Sequence, residues 1–223
     1  MMDQNLVLPQ ALNDRYRGLS PLDRLRQLYR EFSPDEVLVT SSFGTTSAIL
    51  LHHIAQVCPE QKIHVIDTGY LFPETLAYQQ ELTSHLGLEI VTLHPNARGH
   101  RITQEEELWK SDPDVCCGIN KTMPVEEIKA DYKVWMAGLI GFQNSYRKEL
   151  RVFEEKGEIL RFYPIIALDK DIVKQYFRTH NLPRHSLERK GYGSVGCVQC
   201  SAKGSGRTGR WQGNTKTECG LHK

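Results

Sequence analysis

A doubly wound α/β fold, with helices packed on a mostly parallel sheet, is what this sequence predicts. Three observations carry that expectation. Short apolar runs end in loops of small, hydroxyl-bearing or glycine residues, each run is followed by a segment of helical periodicity, and the connections are short. With 223 residues, 39% hydrophobic and 25% charged, the chain suffices for one domain with a sizeable core.

In chain order, "SPLDRLRQLYREF" opens on Ser20 as N-cap with Pro21 at the first helical position. Leu22, Leu25, Leu28, Tyr29 and Phe32 then recur at helical spacing, an amphipathic helix with one buried face. "EVLVTSSFGTTSAILLHHIAQV" reads strand, turn, helix. Val37, Leu38 and Val39 form a run suited to a strand buried on both faces, residues 41–46 a turn around Gly44, and residues 48–57 a helix. "KIHVIDTGYLFPETLAYQQELTSHLG" repeats the pattern. Its strand ends at Asp67-Thr68-Gly69, Pro73-Glu74 opens its helix and Gly87 closes it. "LEIVTLH" is a third strand, residues 98–113 are charged and helical, and "VWMAGL" is a fourth buried strand. "RVFEEKGEILRFYPI" reads as a hairpin turning at Lys156-Gly157. "DKDIVKQYFRTHN" reads as a helix capped by Asp169 with Ile172, Val173, Tyr176 and Phe177 inward. Beyond Leu182 glycines and basic residues replace regular periodicity. We therefore expect one α/β domain over residues 1–205 and a mobile catalytic tail over 206–223, with no repeats and no linker.

No apolar run approaches a membrane span, and "MMDQNLVLPQ" lacks a basic region followed by an apolar stretch, so a membrane partner and a secretory leader are not expected and a cytoplasmic protein is. The net charge of +1 is unevenly spread. Residues 184–223 carry eight Lys and Arg against Glu188 and Glu218, a net of +6, which leaves −5 on the rest. A basic end on a mildly acidic body suits an anionic ligand, and it equally suits a solvated end.

In a cytosolic chain the six cysteines point to metal binding or catalysis before disulfides. Cys197-Val-Gln-Cys200 is a CxxC in a glycine-rich loop, and Cys116-Cys117 an adjacent pair in "DPDVCCGINK". Four thiolates from two loops suit a metal or iron–sulfur site. A vicinal pair fits zinc knuckles badly, and a redox CxxC belongs on a strand-to-helix turn. Cys219 is left over, four residues from the end in "KTECGLHK". Lys216, His222 and the tail's other basic residues would raise its thiolate fraction, and a thiolate on a moving arm can attack a ligand held on the sheet and then meet a reductant. In open parallel sheets ligands bind beyond the carboxyl ends of the strands. There Ser41-Ser42-Phe43-Gly44-Thr45-Thr46 could cradle a phosphate or sulfate with backbone N–H groups and hydroxyls, although an ordinary turn reads the same. The loop is neither a Walker A nor a GxGxxG motif.

Together these pieces resemble the sulfonucleotide reductases, the assimilatory adenylyl-sulfate and phosphoadenylyl-sulfate reductases. "TSSFGTTSAILLH" resembles their modified phosphate loop, "DTGYLFPET" the motif after their next strand, and "GYGSVGC" and "GRWQGNTKTECGLH" their carboxyl-terminal region. The resemblance spans residues 37–222. It implies a sheet of the adenine-nucleotide alpha hydrolase type. It makes Cys219 the nucleophile that takes sulfur from the bound sulfonucleotide, leaving an S-sulfocysteine that thioredoxin or glutaredoxin reduces to release sulfite. It implies that Cys116, Cys117, Cys197 and Cys200 hold a [4Fe–4S] cluster of electrostatic and structural role, with Lys121 between cluster and substrate. It carries substrate binding to Ser41, Ser42, Phe43, Gly44, Thr45, Thr68, Gly69, Lys121, Arg147, Arg207, Arg210 and His222. The cluster-bearing branch is associated with adenylyl sulfate, whereas the loop wording resembles the cluster-free branch that uses phosphoadenylyl sulfate. We expect adenylyl sulfate as the better substrate, with phosphoadenylyl sulfate or dual use as the alternative, and a homo-oligomer is compatible with the sequence. One segment departs: where the family shows an arginine pair after its fourth strand, this chain has Ile140-Gly141, and Asn144 replaces a serine, while Gln143 and Arg147 match. Three other readings compete. Adenylating ligases and thiolases of the same fold carry an SGGxDS loop that "SSFGTTS" lacks. A cysteine–metal nucleic-acid module leaves ECGLH unexplained. A nucleotide-binding homologue without catalysis would answer to Ile140-Gly141.

Overall fold

The computed structural model describes residues 9–157 and 159–222. The start of the chain read above for a leader, residues 1–8, lies outside them, as do Glu158 in the hairpin and Lys223. Six strands form one sheet in the order β3-β2-β1-β4-β6-β5, with β1 Val37–Thr40, β2 Ile63–Ile66, β3 Ile90–Leu93, β4 Val134–Ala137, β5 Phe153–Lys156 and β6 Ile159–Phe162. All neighbours run parallel except the β5–β6 hairpin at one edge. The chain steps outward from β1 through β2 to β3 and returns to the other side of β1 as β4. That reversal opens a crevice at the carboxyl ends of β1 and β4.

One face of the sheet is fully apolar. Val37, Val39, Ile63, Val65, Val134, Met136 and Phe162 pack there against α1 Pro9–Tyr16, α2 Pro21–Glu31, α3 Ser47–Val57, α4 Pro73–Leu86 and, late in the chain, a helix at Lys170–Thr179. Ser20 caps α2 by accepting from the Asp23 amide at 3.2 Å, and Leu25 and Leu28 are fully buried. Helix α1 carries no periodic apolar stripe and the sequence did not announce it. It is held by Tyr16, edge-on to Phe153 at 4.8 Å, and by Asn13, which donates to the Phe153 carbonyl at 2.8 Å and accepts from its amide at 3.0 Å.

The opposite face is covered by less. Between β3 and β4 the chain forms α5 Ala97–Glu105, α6 Leu108–Ser111, α7 Pro113–Cys117, a π-helical turn at Gly118–Thr122 and α8 Met123–Lys129. From this stretch Val125 and Ile128 pack on Leu38, Ile66, Trp135 and Ile159, and the tail's Leu221 closes the layer. The remaining helices are α9 Ser145–Lys148, α10 Lys170–Thr179 and α11 Ser186–Arg189. Asp169 caps α10 as expected, but Ile172 is 46% exposed. The buried stripe is Val173 and Phe177, one turn apart, and this phase turns Ile172 to solvent. No helix among the described residues is long and apolar enough to cross a membrane.

Candidate active site

Three strand ends supply the walls. After β1, Phe43 adopts φ 46°, a left-handed conformation that a bulky residue accepts only when its surroundings impose it. Its ring is fully buried in the core, so Phe43 anchors the loop through its side chain and leaves only backbone to a ligand. Ser41 Oγ accepts from the Phe43 amide at 3.2 Å, and Ser42 is exposed. Thr45 donates to the Gly193 carbonyl at 3.3 Å, and Gly44 lies against the Val195 carbonyl. The loop "GYGSVGC" thus flanks the phosphate-loop candidate directly. After β2, Thr68 is fully buried with its hydroxyl 3.4 Å from Cys197 Sγ. Gly69 has φ +71°, and a Cβ there would lie 2.7 Å from the His100 ring, so only glycine fits. Thr68 and Gly69 therefore support the cysteine loop and His100 in this structure. After β4, Gln143 donates to Thr46 Oγ1 at 3.2 Å.

The two cysteine pairs meet. Asp112 caps α7 by accepting from the Asp114 and Val115 amides, and the π turn after Cys117 widens the helix where Lys121 leaves it. Asn120, four residues after Cys116, donates to the Cys116 carbonyl and to Thr103 Oγ1, each at 3.0 Å. Its Oδ1 lies 2.8 Å from His100 Nδ1, and Thr103 is also bonded to the Tyr70 hydroxyl. On the other side the Val198 amide donates to the Tyr70 carbonyl at 2.8 Å, and Arg210 Nε donates to the Cys200 carbonyl at 3.1 Å. Cys116, Cys117, Cys197 and Cys200 are all buried and line one narrow cavity with Lys121, Trp109 and Trp211. No three His, Cys, Asp or Glu side chains among the described residues close on a common point as the ligands of a single ion do.

Charge is uneven around these thiols. Burial and the neighbouring thiols push Cys116 and Cys200 up to about 11. Burial also opposes ionisation of Cys197, yet Lys121, the Thr68 hydroxyl and Arg210 prevail and hold it below the ordinary thiol range. Lys121 is the counterpart. Burial disfavours its charge, but Cys197, Cys117 and Cys219 more than offset this and keep it protonated. Trp211 Nε1 is buried with no partner among the described residues, and the ring carries Arg210 at 4.5 Å over its face.

The tail is seated on this assembly. Lys216 is almost fully buried; its ammonium donates to the Pro113 carbonyl at 3.2 Å and pairs with Asp114. Glu218, 1% exposed, accepts from Arg147 Nε at 2.6 Å and Nη2 at 2.9 Å and from Arg207 Nη2 at 2.9 Å. Cys219 is half-buried and packs against the group formed by Tyr70, Cys116, Cys197, Cys200 and Trp211. Leu221 is buried, and its carbonyl accepts from Arg161 Nη1 at 2.8 Å. The His222 carbonyl accepts from the Tyr146 hydroxyl, and its ring lies 5.9 Å from Trp135. Desolvation, then Arg147, depress the His222 pKa to about 3.

Two expectations change here. The cations facing Cys219 are Lys121 and Arg207. Lys216 is turned to Asp114, and His222 is held neutral. The second concerns Ile140-Gly141. Ile140 is fully buried in the core, and a Cβ on Gly141 would lie 3.0 Å from the Ile166 carbonyl, so a side chain there requires this backbone to give by a few tenths of an ångström. Sequence reasoning missed His100, Asn120, Trp211 and Glu218. The i, i+4 spacing of Cys116 and Asn120 was the one local signal.

Residues 36–203 match the phosphoadenosine phosphosulfate reductase domain family. An adenosine 5'-phosphosulfate reductase of Mesorhizobium japonicum is 36% identical over 218 residues, covering 95% of this chain and 86% of that protein. The corresponding protein of Geobacillus kaustophilus is 36% identical over 217 residues, covering 90% and 89%. Among solved structures, a phosphoadenylyl-sulfate reductase from Candida auris in complex with phosphate superposes with a TM-score of 0.75 at 22% identity, covering 87% of this chain and 96% of that one.

Proposed function

Because the chain belongs to the phosphoadenosine phosphosulfate reductase domain family, we propose that it reduces adenylyl sulfate to sulfite and AMP through an S-sulfocysteine on Cys219. The observation that carries this reading is the seating of Cys219 beside Lys121, at the carboxyl ends of the strands. The Cys219 thiolate attacks the sulfur of the sulfonucleotide. The bond from that sulfur to the phosphate oxygen breaks, and AMP departs with the electron pair. Lys121 and Arg207 offset the negative charge of thiolate and leaving group. A thiolate of thioredoxin or glutaredoxin then attacks Cys219 Sγ. Sulfite leaves, and the redoxin's second thiol resolves the mixed disulfide. Access to that partner requires residues 206–223 to lift, and a reducing cytoplasm suits the chemistry.

Cys116, Cys117, Cys197 and Cys200 would hold a [4Fe–4S] cluster. The four buried thiols that line the cavity, and the Trp211 Nε1 beside them that is buried without a partner among the described residues, fit that group. When bound, it supplies a fixed charge next to Lys121 and ties α7 to the 197–200 loop.

Cys219→Ser tests the assignment. Sulfite release should fall on the order of 10³-fold or more, with nucleotide affinity retained. Wild type turned over without reductant should carry a sulfonate on Cys219 by mass spectrometry. An adduct on Cys200, or an active variant, refutes the nucleophile. For the substrate we expect adenylyl sulfate to exceed phosphoadenylyl sulfate in kcat/KM by about tenfold, roughly 1.4 kcal/mol. The curated relatives' names and the four-thiol cavity favour it.

A further inference from the structure

No step of the proposed reaction uses the polar network buried beside the cysteine cavity. Asn120 is 2% exposed and Thr103 is fully buried. Asn120 Nδ2 faces three acceptors, the Cys116 carbonyl and Thr103 Oγ1 at 3.0 Å each and Cys116 Sγ at 3.6 Å, with two hydrogens to give them. A carbonyl only accepts, so the amide keeps its nitrogen on that side. Its Oδ1 therefore faces His100 Nδ1 at 2.8 Å, and that nitrogen carries the imidazole proton. The Thr103 hydroxyl gives its one hydrogen to the His100 carbonyl at 2.7 Å, so the Tyr70 hydroxyl, 2.8 Å away, donates to Thr103. Every hydrogen in the network has a fixed direction, and the amide that results points a donor at the Cys116 sulfur.

Tyr70 serves the other cysteine pair as well. Its amide donates to Thr68 Oγ1, which lies 3.4 Å from Cys197 Sγ, its carbonyl accepts from Val198, and Leu71 after it bridges to Cys197. Helix α5 is pressed onto the π turn that carries Asn120, where a Cβ on Gly99 would lie 2.9 Å from Ile119 Cγ2. We propose that Asn120 is a positioning residue for Cys116, with an amide set by His100 and Thr103 to donate to that sulfur while it is bound to iron. This rests on the reading of the four thiols as iron ligands. A hydrogen bond to a ligating sulfur fixes its side chain, draws charge away from it and raises the reduction potential of the metal group. Without it the group is oxidised and lost more readily.

The test compares wild type with Asn120→Leu and Asn120→Ser, purified anaerobically with iron and sulfide counted. Asn120→Leu is close in size and has no donor. Its iron–sulfur absorbance should be lost to air, and its iron to an excess of chelator, about tenfold faster than in wild type. Its Fe–S(Cys) stretching band in resonance Raman should move up in frequency. Exchange into deuterium oxide should shift that band less than in wild type, because one N–H···S donor is gone. At a helical position a serine hydroxyl bonds the carbonyl four residues back. Asn120→Ser therefore keeps the link to the Cys116 carbonyl, leaves the sulfur without its donor, and carries the test if the leucine variant fails to fold. It should retain the fold by circular dichroism and share the Raman shift and the smaller deuterium effect of Asn120→Leu. A band position and deuterium effect in Asn120→Ser equal to wild type would make residue 120 a structural strut and overturn the proposal. Anaerobic wild type without iron removes the cluster reading and this role with it. A full cluster in wild type, with both variants unmoved, removes this role alone.

Discussion

The two faces of the sheet are built from alternate residues of the same strands, yet they are different materials. Val37, Val39, Val134, Met136 and Phe162 look into a dry layer closed by α1 to α4 and α10. Thr40, His64, Trp135 and Arg161 lie among the residues between, and their layer is finished by α8 and by Leu221 from the tail. On the first face the chain makes stability from apolar area. On the second it tolerates a buried arginine, Arg161, whose Nε lacks a partner among the described residues, stacked 4.6 Å over Trp135. The difference teaches that the tail is a structural layer of this face. Under the proposed function it also carries the nucleophile, so what closes this face would be the piece that comes off.

The comparison breaks most sharply at the cysteine rim. Cys197→Ser should remove iron and reduce sulfite release to background, whereas anaerobic wild type should be brown with about four irons and four sulfides per chain. Stoichiometric zinc in a colourless, active protein would overturn the cluster. On the dry face, Leu28→Ala should cost about 2–5 kcal/mol. That lowers Tm by about 2–4 °C per kcal/mol lost, with kcat kept below the transition. Thermal scans beside assays at 20 °C decide it, and a Tm within 1 °C of wild type would contradict the account of that face. On the other face Leu221→Ala should do the reverse. Tm should move by less than about 1 kcal/mol equivalent, because the tail opens without the sheet. Sulfite release should fall about tenfold as Cys219 loses its placement.

The smallest effect is with pH. Seated His222, among Arg147, Arg161, Arg207 and Glu218, has its pKa pressed to about 3, against 6.5 for a free histidine. Its folded value is depressed, so seating is unaffected above about pH 6.5. Below that, a released tail takes up a proton that the seated one refuses, and seating weakens by up to about tenfold per pH unit. Glu218, near 2, stays ionised throughout this window and does not contribute. Amide hydrogen exchange in the tail, corrected for intrinsic rates, should therefore rise between pH 7 and 5.5. A flat profile in wild type, or an equal rise in His222→Asn, would remove histidine from the account.

How much of this was legible follows from distance along the chain. The central strands β1, β2 and β4 were readable because short, mostly apolar runs buried on both faces leave a mark in sequence. The helices after them were readable from caps such as Ser20, Pro73 and Asp169. The cysteines were readable as residue types. The seat of the tail was not, because its central contact joins Arg147 and Glu218, 71 positions apart, with no periodic pattern on either side. Helix α1 was silent for a similar reason. Its anchors are one asparagine and one tyrosine.

That asparagine has a consequence for how the chain can be cut. Strand β5 is the outermost of the sheet, so among the described residues one of its edges has no strand beside it. Asn13 meets it there, giving and taking a hydrogen bond at Phe153 as a neighbouring strand would. A protein shortened to begin at residue 19 would bare that edge together with the Phe153 and Phe162 rings that Tyr16 covers. Such an edge recruits other chains. Aggregation of the truncated protein would then report a lost terminus rather than a lost core.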